Sequence, residues 1–137
     1  MVIHPMITVR DVRKSAAFYE KVLGLESAHG GTEYEQMCYD GELLLQLHDM
    51  EPDLNHGPLL RPEEAAGRGV LLWFQTEDFP GLLARLEEAG VTPEVPPYLN
   101  EYALHQEVWF RDPDNYLVVV AGPSGHGKHK KDDRIVY

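Results

Sequence analysis

The chain has 137 residues, 43% of them hydrophobic, the length of one ordinary domain with enough apolar mass for a core. Its net charge is −11, and residues 126–137, HGKHKKDDRIVY, hold four Lys or Arg against two Asp, so the remainder stands at −13. That balance argues against phosphate backbones and anionic lipid as partners, and no run approaches the roughly 20 apolar residues of a membrane span. The opening MVIHPMITVR lacks the charged-then-apolar order of a secretory leader, so a cytoplasmic location is expected. Cys38 is the one cysteine and reads as a small buried apolar residue.

In chain order, VIHPMITV has strand character and Asp11 stands where a helix N-cap belongs. Val12, Ala16, Tyr19 and Val22 recur at helical spacing until Gly24 supplies the stop. LESAH, TEYEQMCYD and ELLLQLHDM follow as three strand-like runs, the last two joined at Asp40-Gly41, a strong hairpin signal. Glu33 and Glu35 read as solvated. The proline-rich, charged stretch EPDLNHGPLLRPEEAAGRG reads as a surface linker.

The order then repeats. VLLWFQT reads as a strand, and Asp78 caps a helix carrying Leu82, Leu83 and Leu86 on one face before Gly90. VTPEV, HQEVWFR and YLVVVAG supply three further strands, the last pair turning at DPDN, where Asn115 tolerates positive φ. The chain therefore reads βαβββ twice and predicts an α+β fold. One domain over 1–122 comprises a first module (1–50), a linker (51–68) and a second module (69–122), followed by a tail (123–137).

Two such sheets set edge to edge would curve into a trough, with side chains at alternate strand positions facing it. Alternation puts His4, Met6 and Thr8 on one face, as it does Leu44, Gln46 and His48, and likewise His105, Glu107 and Trp109. Trp73 and Trp109 hold equivalent places, each just before a phenylalanine. If Phe74 and Phe110 face the helix-covered core, both indoles face the trough and can stack on a flat ligand. The stretch 96–104 reads as a connection, from which Tyr98 or Tyr102 could close as a lid.

With HPMITVRDVRKSAAFYEKVLGL in the first half, and LLWFQTEDFPGLLARLEEAGV and WFRDPDNYLVVV in the second, the chain over residues 2–122 resembles the vicinal oxygen chelate superfamily. That superfamily includes glyoxalase I, bleomycin-resistance proteins, fosfomycin-resistance enzymes and extradiol dioxygenases. The resemblance implies a U-shaped, partly open, barrel-like sheet built from the two modules, a homodimer, and metal ligands on the first and last strands of each half. His4 matches the first of those positions and Gln46 falls at the second. Val70 or Leu71 occupies the third, and Val119 the fourth, where many relatives carry a carboxylate. A catalytic cation needs about three nitrogen or oxygen donors, so the loss of two weighs against a metal enzyme.

The expected function is accordingly a metal-free small-molecule binding protein of the bleomycin-resistance type. It would sequester a flat, cationic aromatic ligand in an acidic trough lined by His4, Met6, Gln46, His48, Trp73, Tyr102, His105, Glu107, Trp109 and Val119. No cofactor is expected. The alternative is a lyase, isomerase or dioxygenase with one divalent Zn, Ni, Mn or Fe held by His4, Gln46 and His48, and Glu107 as its proton-transfer base. The tail, basic and then apolar at Ile135, Val136 and Tyr137, is expected to strap across the acidic body of a second subunit.

Overall fold

The computed structural model describes residues 1–51 and 59–124. Part of the expected linker, and the expected tail beyond Ser124 with its strap, lie outside the described residues. The elements are β1 (Met6–Thr8), α1 (Val12–Leu23), β2 (Glu26–Ser27), β3 (Tyr34–Tyr39), β4 (Glu42–His48), β5 (Leu71–Gln75), α2 (Phe79–Glu88), β6 (Val95–Asn100), β7 (His105–Arg111) and β8 (Leu117–Ala121). This is βαβββ twice, an α+β fold in two modules. Each half forms a four-stranded mixed sheet, ordered β1-β4-β3-β2 and β5-β8-β7-β6. Pairing is parallel for β1–β4 and β5–β8 and antiparallel elsewhere. Contacts divide the chain into two compact units, Met1–Gly69 with Asp112–Tyr116, and Val70–Arg111 with Leu117 onward.

In the first unit, Asp11 is extended and its carboxylate accepts from the Lys14 amide at 3.0 Å, which starts α1. Gly24 ends the helix at φ 68°, a left-handed conformation that glycine adopts without steric cost. The buried stripe Val12, Ala16, Tyr19 and Val22 covers one face of the sheet, where register aligns Ile7, Leu47 and Glu35 in one row and Leu45 with Met37 in the next. Asp40 and Gly41 both take positive φ, as a two-residue hairpin requires.

Glu35 corrects the expectation of a solvated glutamate. Its row lies beneath α1 and it is 0% exposed. Arg13 Nη2 donates to its Oε2 at 2.5 Å, and the amides of His29, Gly30 and Gln36 donate at 2.7, 2.8 and 2.8 Å. Burial by itself raises the carboxyl's pKa. The Arg13 guanidinium and the amides of Gln36, His29 and Gly30 outweigh that and hold it at about 2.

The Asp112–Tyr116 turn also belongs to this unit. Asn115 takes the expected positive φ, at 69°. Asp112 Oδ1 accepts from the amides of Asp114 and Tyr116 at 2.9 and 2.8 Å, closing the turn on itself. Tyr19 Oη donates to Asp112 Oδ2 at 2.7 Å, Ser15 Oγ to Asp114 Oδ2 at 3.3 Å, and Tyr116 Oη to the Thr8 carbonyl at 2.8 Å. Arg10 reaches Asp114 Oδ1 through its amide at 3.0 Å and its guanidinium at 3.2 Å. Burial, then the Asp112 charge, push the Tyr19 hydroxyl well above its usual pKa, so it stays a donor. Tyr19→Phe leaves a buried carboxylate oxygen without that donor, and urea unfolding should show a loss of about 1–3 kcal/mol. An unchanged midpoint would mean the bond is not made in solution.

In the second unit, Asp78 caps α2 by accepting from the Gly81 amide at 3.0 Å. The approach is close enough that a Cβ on Gly81 would lie 2.1 Å from Asp78 Oδ2. A Cβ on Gly122 would lie 3.1 Å from Phe79 Cβ, so the even-numbered residues of β8 face α2. Val118 and Val120 accordingly join Leu72, Val108 and Phe110 with Phe79, Leu82 and Leu86 in the core.

The strand expected at 91–95 lies later, at Val95–Asn100. Pro96 and Pro97 fall where the register slips between Val95 and Tyr98, and β6 is an edge strand, where missing amide donors are tolerated. The reading of 96–104 as one connection is corrected with it. Only residues 101–104 turn, held by Asn100 Oδ1 on the amides of Tyr102 and Ala103 at 3.0 and 3.1 Å.

Candidate functional site

The face of the second sheet turned away from α2 carries the odd-numbered residues of β5, β7 and β8. Register places Trp73, Val119 and Trp109 side by side across three strands, so the two indoles flank a valine. Trp73 is 44% exposed and Trp109 half-buried, while Val119 between them is 1% exposed. The expectation that both tryptophans share a face apart from Phe110 holds in this register.

Next along β7 on the same face is Glu107, buried and aligned with Ala121 and Tyr98. Four side chains converge on its carboxylate: Tyr98 Oη at 2.6 Å, His105 Nε2 at 2.7 Å, Asn100 Nδ2 at 3.0 Å and Trp109 Nε1 at 3.3 Å. Burial works to raise its pKa. The donors Tyr98, His105, Asn100 and Trp109 together prevail, and the carboxyl sits below its ordinary value, ionised at neutral pH. The carboxylate in turn, foremost through its hydrogen bond, pushes the Tyr98 hydroxyl up. Trp73 packs on His105 with ring centroids 5.8 Å apart.

Of the residues expected to form the site, Trp73, His105, Glu107, Trp109 and Val119 therefore lie together on one sheet face. Tyr102 stands on the 101–104 turn, 90% exposed, its side chain outside this hydrogen-bonded group. Asn100 is not among the expected site residues, and Tyr98 enters the expectation only as an alternative to Tyr102 for a lid on the 96–104 connection. With the strand set at Val95–Asn100, period-two alternation puts Tyr98 and Asn100 on one face.

The remaining expected residues belong to the first unit, on the sheet face turned away from α1. Met6, Gln46 and Gln36 align across β1, β4 and β3, and Thr8, His48 and Tyr34 form the adjacent row. Tyr34 Oη donates to Gln46 Oε1, and Gln36 Nε2 donates to Tyr34 Oη at 3.2 Å. His4 precedes β1 rather than lying in it. Pro5 has no N–H for the ladder, and the pairing continues through carbonyls alone: Pro5 O accepts from the Gln46 amide at 2.9 Å and His4 O from Gln46 Nε2 at 3.1 Å.

This hydrogen bonding tests the metal set of the alternative reading. The Gln46 side-chain oxygen accepts from Tyr34, and its nitrogen is spent on the His4 carbonyl. His48 Nδ1 faces the Asp49 carbonyl at 2.9 Å, which can only accept, so that nitrogen carries a proton and leaves Nε2 as the one ring atom with a lone pair to offer. In the second unit the counterpart of Gln46 is Val119, paired with Trp73 as Gln46 is with Met6, and two residues before Trp73 the counterpart of His4 is Leu71. Among the described residues no three His, Cys, Asp or Glu side chains group to hold a metal ion. The residues present do not fit a divalent cation of the superfamily type.

Comparison with known proteins agrees with this fold. The structure is similar to a protein of unknown function from Agrobacterium tumefaciens (22% identity, 90% of this chain and 94% of that one, TM-score 0.71). An integron cassette protein from V. cholerae is similar at 23% identity, 90% and 98% coverage and TM-score 0.68. The fosfomycin resistance protein FosX from Mesorhizobium loti is similar at 16% identity, 91% and 93% coverage and TM-score 0.64. At such identities the likeness shows the fold alone. No helix among the described residues is long and apolar enough to cross a membrane. The sequence itself matches the model of the Glyoxalase/Bleomycin resistance protein/Dioxygenase superfamily over residues 2–120, and the chain belongs to that superfamily.

Proposed function

We propose that the protein binds a flat, cationic aromatic small molecule without a metal, in the manner of a sequestering resistance protein, and that the second sheet carries the binding face. The observation behind this reading is the row Trp73–Val119–Trp109 beside the ionised Glu107. Indoles attract both an aromatic plane and a positive charge, and a carboxylate held ionised by fixed donors adds a negative charge that needs no reorganisation. The chain's net charge of −11 concentrates cations and disfavours anionic ligands.

Calorimetry with trimethyl-2-(1-naphthyl)ethylammonium and with the uncharged 2-(1-naphthyl)ethanol tests it near neutral pH. The cation should bind measurably tighter. Trp73→Ala should weaken the cation roughly tenfold, yet lower stability by no more than about 1 kcal/mol, because the ring is already 44% exposed. Equal affinity for the two probes, or an unaffected Trp73→Ala, would sink the reading.

A further inference from the structure

One nitrogen of the Glu107 cluster is not used by it. His105 is 6% exposed, and its Nε2 lies 2.7 Å from Glu107 Oε1. An ionised carboxylate has no proton to give, so Nε2 is the donor, and in the neutral imidazole Nδ1 then keeps a lone pair. That atom has no hydrogen-bond partner among the described residues. Among the described residues every side-chain nitrogen or oxygen that is shut off from solvent has one, so Nδ1 reaches the surface, on the sheet face where His105 packs against Trp73.

We infer that His105 Nδ1 is a fixed hydrogen-bond acceptor in the binding face, so the cation it selects is a protonated amine bearing an N–H rather than a quaternary ammonium. This rests on the proposed binding of cationic aromatics and deepens it. Glu107 has two parts in the scheme. It supplies negative charge, which serves any cation alike, and it locks the imidazole in the one tautomer that presents an acceptor. Tyr98, Asn100 and Trp109 occupy the other Glu107 contacts, so the carboxylate keeps its place against His105. A neutral imidazole held this way distinguishes two cations of equal charge by a single proton, since an ammonium N–H can donate to it and an N-methyl cannot.

The test pairs N,N-dimethyl-2-(1-naphthyl)ethylamine, as its ammonium form near neutral pH, with its N-methylated quaternary salt. Calorimetry should show the N–H-bearing ion binding at least about tenfold tighter. His105→Phe should abolish the preference for the N–H-bearing ion. Imidazole ¹⁵N shifts of the wild-type protein without ligand give an independent reading, expected to show the Nε2–H tautomer at His105. An Nδ1–H tautomer or an imidazolium there overturns this inference while cationic binding stands. Equal affinities for the two ions overturn it in the same way, and a protein that binds neither overturns it together with the reading it rests on.

Discussion

Truncating Phe110 to alanine is expected to cost about 3–5 kcal/mol in urea unfolding, while Trp109→Ala, one residue earlier on β7, costs about 1 kcal/mol. Phe110 is 0% exposed and shares a row with Leu72 and Val118 on the face covered by α2, so its removal leaves a cavity among side chains that cannot collapse into it. Trp109 lies on the opposite face, half-buried, with one hydrogen bond to Glu107, and its loss is felt mainly in ligand binding. The larger ring should thus give the smaller effect. A Trp109→Ala penalty equal to or above that of Phe110→Ala would reverse the faces of β7 and remove the basis for the binding site.

Glu35 carries the other large effect, and it appears in acid. Its carboxyl titrates at about 2 in the folded protein against an ordinary 4.5, which amounts to roughly 3 kcal/mol of stability. Because the folded value is depressed, that contribution is fully present above the ordinary value. It fades as pH falls from about 4.5 through about 2, when the unfolded chain takes up the proton first. Urea unfolding of wild type and Glu35→Gln across this window isolates it from the other acids. The wild type should be the more stable at pH values above the window, and the gap should close by its lower end. A gap that stays constant through the window would show that folding does not perturb this carboxyl.

Elements whose signals are local were legible in the sequence. Asp11 and Gly24 bound α1 where expected, Asp40-Gly41 makes its hairpin, and alternation along β7 puts His105, Glu107 and Trp109 on one face. Features that depend on a distant partner were not. Nothing within TEYEQMCYD shows that Glu35 is buried, because the charge that permits it sits on Arg13 of a different element. Pro5 shortened β1 and left His4 outside it, although the residues around it are strand formers. The Pro96-Pro97 pair hid β6, since two missing amides read as a linker unless the strand is known to lie at an edge. With β6 went Tyr98 and Asn100, half of the donors that hold Glu107.

The turn at Asp112–Tyr116 has a consequence for how the protein is made. Its side chains complete the first unit, yet they are translated after β5, α2, β6 and β7. A nascent chain that has just emerged through Arg111 offers Tyr19 no Asp112, Ser15 and Arg10 no Asp114, and the Thr8 carbonyl no Tyr116 hydroxyl. Domains usually mature on the ribosome from the N-terminus forward. Here the N-terminal helix waits, its buried tyrosine unsatisfied, until nearly all of the second sheet has been synthesised. A premature stop anywhere before that turn therefore spoils both halves of the molecule rather than one.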